Sequence, residues 1–246
     1  KRRAGRDAMT VSRAAVAHTL PEEDGGSEEF GVREYLVLGP LEMRRDRAPV
    51  DLGPPKQRAV LGTLLLARGR VVTVDRLADT LWGEQPPVAA TTSLQAYISN
   101  LRRALRTSGE ASPIERVGAG YRIDVGTDVL DVVEFAELAR SARIARHEGR
   151  WADALADSAA ALDRWRGDLL GGVLDDVDWV AAESAALDEN LMDTQEIHIT
   201  ALLAEGDVGG ALGAIVTLRS REPLRDRGVW LHMAALYRAG RATEAL

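Results

Sequence analysis

The 246-residue chain contains no cysteine, which excludes disulfides, thiolate zinc sites and a cysteine nucleophile and suits a cytoplasmic protein. No stretch approaches the roughly 18 uninterrupted apolar residues of a membrane span, and the N-terminus lacks the apolar run of a secretory signal. Metal chemistry is equally unprompted. Histidines 18, 147, 198 and 232 have no ligand spacing, and Asp175, Asp176 and Asp178 lack the closing glutamate of a calcium loop, so they read as a solvated turn between helices. No local Ser-His-Asp or paired-carboxylate pattern stands out. The expectation is no catalytic residue, no metal and no cofactor.

What is present is a lopsided charge. Residues 33–125 hold 14 Lys and Arg against 10 Asp and Glu, net +4, whereas residues 126–246 hold 12 against 22, net −10. The whole-chain value of −7 hides a basic segment joined to an acidic one, which predicts two domains with different partners.

Residues 1–33 mix Gly, Ala, Glu and Arg without periodicity and read as a disordered leader. Short antiparallel strands are expected from Tyr35 to Leu52. Pro54 and Pro55 open a first helix that Gly69 ends; Thr73 caps a second, closed by Gly83; a third runs from about Val88 to Arg106. Ile114–Val125 reads as a hairpin turned at Gly118, Ala119 and Gly120, where the absence of a Gly-Lys-Ser/Thr ending argues against a nucleotide loop. Strands, three helices and a hairpin in this order predict a winged helix-turn-helix over residues 34–126.

The third helix carries the functional signal. Leu94, Tyr97, Ile98, Leu101 and Leu105 form its apolar stripe. Advancing 100° per residue puts Ala96, Ser99 and Arg103 at the centre of the opposite face, flanked by Gln95, Asn100, Arg102 and Arg106. Small, amide and guanidinium side chains suit a helix entering a DNA major groove. Gln95, Ser99, Asn100 and Arg103, with Ala96 allowing close approach, are the base-edge candidates. Thr92, Arg102, Arg106 and the hairpin residues Arg116 and Arg122 are placed for phosphate or wing contacts. Tyr97 is either a phosphate contact or a core residue.

From Asp131 onward the chain is helical and alanine-rich. The segments 149–155, 206–212 and 240–246 share Gly-[Arg/Asp]-x-x-x-Ala-Leu. The last two copies are 34 residues apart, the tetratricopeptide period, and the first two are 57 apart, leaving room for an irregular connection. Trp151, Trp165, Trp179 and Trp230 are expected in the helical core, with some lining a partner groove. The chain is expected to stop within a repeat. These features predict an all-α tetratricopeptide-like domain over 127–246, truncated at its end.

The segment 35–123, above all SLQAYISNLRRAL and the Gly-Tyr-Arg closing the wing, resembles an OmpR/PhoB-type DNA-binding domain. Joined to the acidic helical region, and with Leu77–Gly83 and Glu222–Arg241, the chain resembles the Streptomyces antibiotic regulatory protein (SARP) family, whose second half is a bacterial transcriptional activation domain. The resemblance covers about residues 34–246. It implies an activator that binds direct repeats in double-stranded promoter DNA as a head-to-tail pair and recruits RNA polymerase holoenzyme at antibiotic biosynthesis genes. It carries base reading to Gln95, Ala96, Ser99 and Asn100, and phosphate contact to Thr92, Tyr97 and Arg102. Ser99 and Asn100 stand where OmpR-type helices often have arginines; Val117 stands at the common wing arginine, with Arg116 as its substitute. Only some 33 residues precede the winged helix, too few for a receiver domain. The rival readings are a tetratricopeptide scaffold whose winged helix binds protein, and a sensor whose helical array binds a small ligand.

Overall fold

The computed structural model describes residues 32–106 and 111–245, so most of the expected leader, including His18, lies outside the described residues. Strands β1 (Arg33–Leu36), β2 (Glu42–Arg45) and β3 (Ala48–Pro49) form an antiparallel meander whose last turn holds Asp46 and Arg47 at positive φ. Helix α1 (Pro55–Leu66) follows, with proline in its first turn. It is buried nearly all round, from Ala59 to Leu66 without a break, and forms the central element of this half.

Strand β4 (Val72–Thr73) leads directly into α2 (Val74–Trp82), where the Thr73 hydroxyl accepts from the Arg76 N–H at 3.2 Å and Gly83 closes the helix at φ 58°. Helix α3 (Ala90–Leu105) is a turn shorter than its sequence pattern suggests. The hairpin comprises β5 (Ile114–Val117) and β6 (Gly120–Ile123), so its turn is Gly118–Ala119 and Gly120 already belongs to a strand. The sheet order is β4-β6-β5, and sequence periodicity did not reveal the two-residue β4. Gly120 is essential to it, because a Cβ there would lie 2.3 Å from the Val72 carbonyl oxygen. Sheet, three helices and a winged hairpin make this half a winged helix.

A further short strand, β7 (Val129–Leu130), pairs in parallel with β1 and runs straight into α4 (Asp131–His147). The rest is helical: α5 (Trp151–Asp163), α6 (Asp178–Glu205), α7 (Val208–Arg221), α8 (Asp226–Arg238) and a 3₁₀ turn at Ala242–Glu244. The repeated Gly-[Arg/Asp] signature marks helix ends: the first two copies separate α4 from α5 and α6 from α7, and the third follows α8. Gly149, Gly206 and Gly240 each stand just past a helix at φ between 73° and 88°, the left-handed conformation in which glycine pays no Cβ penalty. The 57-residue interval between the first two copies holds α5, an irregular strap and α6, which at 28 residues is about 42 Å long. Asp175 and Asp176 are exposed in the turn that ends the strap, and Asp178 begins α6.

The strap, residues 164–177, grips the loop between β1 and β2. The Arg166 N–H donates to Leu38 O at 2.7 Å and the Leu170 N–H to Val37 O at 2.9 Å, while Leu169, Leu170 and Leu174 are buried. Leu170 seats on α1 at Gly62, where a Cβ would come within 2.9 Å of its Cδ1. From the other side Asp131 accepts the Val37 and Leu38 N–H groups at 2.8 and 3.0 Å. One hydrophobic core therefore continues from the winged helix through Leu130, Val132 and Phe135 into the helical half. Trp151, Trp165 and Trp179 are half-buried, but Trp230 corrects the core expectation: it is 55% exposed on α8, with Arg227 stacked over its ring. Among the described residues no helix is long and apolar enough to cross a membrane.

Candidate nucleic-acid interface

Leu94, Ile98, Leu101 and Leu105 bury one side of α3 against the core, and Tyr97 is half-buried beside them. The opposite side is solvent-facing: Thr92, Gln95, Ala96, Ser99, Arg103 and Arg106 are all exposed. Spacing of three and four residues aligns them in one strip. It contains no large apolar side chain and no carboxylate, which separates it from an ordinary solvated helix face.

Asn100 is half-buried at the edge of this strip with both ends of its amide engaged. Its Nδ2 donates to Gln57 Oε1 at 3.2 Å, and its Oδ1 accepts from Arg103 Nη2 at 3.0 Å. Gln57, itself buried on α1, donates to Leu52 O at 2.9 Å. A chain of hydrogen bonds thus runs from the core to the Arg103 guanidinium. Sequence reasoning missed Gln57 because it stands between Lys56 and Arg58, both exposed, and reads as one more solvated polar residue of the first turn.

Arg102 is also half-buried. Its Nε donates to Ile114 O at 3.0 Å, and its guanidinium lies 5.9 Å from the Tyr121 ring centre. Arg116 approaches the same ring at 5.5 Å and donates to the Tyr121 hydroxyl at 3.2 Å. Tyr121 is therefore the platform that joins α3 to the wing, a role its sequence position did not disclose. Arg122 faces Glu115 across the hairpin, with Nη2 2.7 Å from Oε2; that hydrogen bond and charge raise the pKa of Arg122. Val117 is exposed at the wing tip.

The C-terminal carbonyls of α3 are held by arginines of the first sheet. Arg45 donates to Ala104 O at 3.0 Å and Arg33 to Leu105 O at 3.2 Å, which compensates the negative helix end and fixes its tilt. The helical half meets this domain elsewhere: Trp179 Nε1 donates to Thr80 Oγ1 on α2 at 3.4 Å, and Arg68 pairs with Glu183 at 2.5 Å. The exposed strip of α3 is left accessible.

Comparison with known proteins agrees with this architecture. The family described as "Transcriptional regulatory protein, C terminal" matches residues 48–123, and "Bacterial transcriptional activator domain" matches residues 130–246. Regulatory protein DnrI of Streptomyces peucetius is 35% identical over 218 residues, 85% of this chain and 79% of that protein. Regulatory protein AfsR of Streptomyces coelicolor is 34% identical over 220 residues, 89% of this chain but only 22% of that much longer protein. The solved structure of Mycobacterium tuberculosis EmbR in complex with a low-affinity phosphopeptide superposes with a TM-score of 0.81 at 32% identity, over 87% of this chain and 57% of that one. The chain therefore belongs to the SARP family of transcriptional regulators, which join an OmpR-type winged helix to a bacterial transcriptional activator domain.

Proposed function

We propose that this chain is a cytoplasmic, non-enzymatic transcriptional activator whose α3 enters the major groove of promoter DNA while the β5–β6 wing rests on the adjacent backbone. The observation that carries this reading is the exposed α3 strip, free of carboxylates and large apolar groups, on a helix joined to the wing through Arg102, Tyr121 and Arg116. Gln95, Ser99 and Arg103 read base edges and Ala96 permits close approach. Thr92, Arg106 and Arg116 meet phosphates; Arg102 and Tyr97 hold the helix against the wing and core.

Within this reading the chain binds direct repeats as a head-to-tail pair, and the acidic helical half offers a surface that recruits RNA polymerase holoenzyme. The family resemblance favours antibiotic biosynthesis genes as targets. Gel-shift titration of a promoter fragment across a salt series tests the core claim: affinity falls steeply as salt rises, since phosphate neutralisation releases counterions. Absence of any shift at low salt would leave the scaffold reading in its place.

Two substitutions probe the parts separately. Gln57→Met removes the far end of the chain that orients Arg103 and is expected to weaken specific binding about fivefold, with binding to random DNA unchanged. Equal losses on both DNAs would refute a positioning role. Glu115→Gln frees Arg122 and is expected to tighten binding at low salt and steepen the log–log salt slope by about 0.9, one extra phosphate contact. An unchanged slope would place Arg122 off the DNA.

A further inference from the structure

We infer, on the basis of the reading of α3 as the DNA-contacting helix, that the helical half governs how α3 is seated through one positioning residue, Arg33. This residue opens β1, and its guanidinium reaches in two directions. Its Nε donates to Asp128 Oδ2 at 2.6 Å, and its Nη1 donates to Leu105 O, in the last turn of α3, at 3.2 Å. The Arg33 backbone N–H also donates to Asp128 Oδ1 at 3.2 Å, so both carboxylate oxygens are engaged. The side chains of Arg33 and Asp128 are only 12% and 6% exposed. Water therefore screens the pair poorly, and loss of either partner leaves a nearly buried charge uncompensated.

Asp128 is placed to follow the position of the helical half. Its N–H donates to Val125 O at 2.8 Å in the turn that leaves the winged helix, and β7 comes directly after it, pairing Val129 and Leu130 with Glu34 and Tyr35 before running into α4. A displacement of α4 moves Asp128 against β1 and pulls on the guanidinium that caps α3. The strap and α6 meet the winged helix at the β1–β2 loop, α1 with the turn after it, and α2. Arg33 carries the junction to the reading helix itself.

The second clamp on α3 is different in kind: Arg45, which donates to Ala104 O at 3.0 Å, comes from β2 and stays within the winged helix. The last carbonyls of a helix carry its partial negative charge, so the place of the capping cation sets the tilt of that turn. Arg103 and Ser99 stand within two turns of this end, and recognition groups have to be held to within about 0.5 Å of their productive positions.

The test is a double-mutant cycle on the full chain, read without and with DNA. Asp128→Asn keeps the shape of the side chain and removes its charge, whereas Arg33→Lys keeps the charge and loses the planar fork that holds two acceptors at once. Without DNA, the ¹⁵N amide resonances of residues 101–105 are expected to shift in Asp128→Asn, and to shift little further when that change is added to Arg33→Lys. Added to Arg45→Lys, which disturbs α3 from within the winged helix, Asp128→Asn is expected to produce its full shift. On DNA, each of Asp128→Asn and Arg33→Lys is expected to bind a promoter fragment about fivefold more weakly, with binding to random DNA unchanged. Shifts that stop at β1 and β7, shifts of the two variants that simply add, or a specific-to-random ratio equal to that of the unaltered chain would overturn the coupling. A uniform response of amides throughout both halves overturns it as well, since that marks lost stability and not a route to α3. If the unaltered chain shows no preference for the promoter fragment, the DNA reading itself fails, and the amide cycle still decides whether Arg33 couples the two halves.

Discussion

Asp131→Ala is expected to lower the unfolding free energy by about 3–5 kcal/mol, a large share of the total for a domain of this size. The Asp131 side chain is 1% exposed at the start of α4, and its two oxygens accept the Val37 and Leu38 N–H groups. Truncation leaves both donors buried and unpaired and removes the buried carboxylate 3.8 Å from Arg166, whose direct partner Glu42 at 2.9 Å remains. Burial pushes the Asp131 carboxyl up, while the two N–H groups and Arg166 draw it back. Asp131→Asn keeps one acceptor but turns an NH₂ toward the second N–H, so it recovers less than half of the loss. Urea unfolding measures both. A loss below about 1 kcal/mol for the alanine variant would show that the strap alone holds the seam.

Ser99→Glu is expected to reduce promoter binding about 100-fold or more while leaving the thermal transition unchanged. Ser99 is exposed at the centre of the α3 strip, and glutamate is at least as good a helix former as serine, so the fold has no reason to suffer. On DNA the added carboxylate meets base edges and phosphates, and like-charge juxtaposition costs several kcal/mol where each 1.4 is about tenfold. A matched change in the acidic half, Ala136→Glu on the exposed face of α4, controls for net charge. If both variants lose binding alike, the effect is global charge and α3 is not the reading helix.

Much of the architecture was legible because local chemistry and tertiary packing agree. The Thr73 cap, Gly83, the prolines opening α1 and the hairpin turn at Gly118 announce element ends whatever surrounds them. The apolar stripe of α3 is periodic enough to predict its buried side, and with it the exposed strip of Gln95, Ala96, Ser99, Arg103 and Arg106. The two-residue strands β4 and β7 were illegible for the opposite reason: pieces so short have no period, and exist only because β6 and β1 offer them partners. Trp230 misled because an aromatic at helical spacing says nothing about whether another element covers it.

Within the site, a wheel projection assigns directions but not partners. It placed Asn100 and Arg102 on the solvent side of α3, where their types suit DNA; the structure spends Asn100 on Gln57 and Arg103, and Arg102 on Ile114. Those partners lie 43, 3 and 12 residues away, and only the fold brings the distant two into reach. By itself the sequence determined the winged helix, the helical second half and which face of α3 meets solvent, because each follows from hydrophobic periodicity and caps acting within a few turns. Tertiary structure alone decided that Asp131 and the strap bind the two halves into one core, and which polar side chains of α3 are tied to protein partners, because each depends on groups far apart in the chain meeting at hydrogen-bond distance.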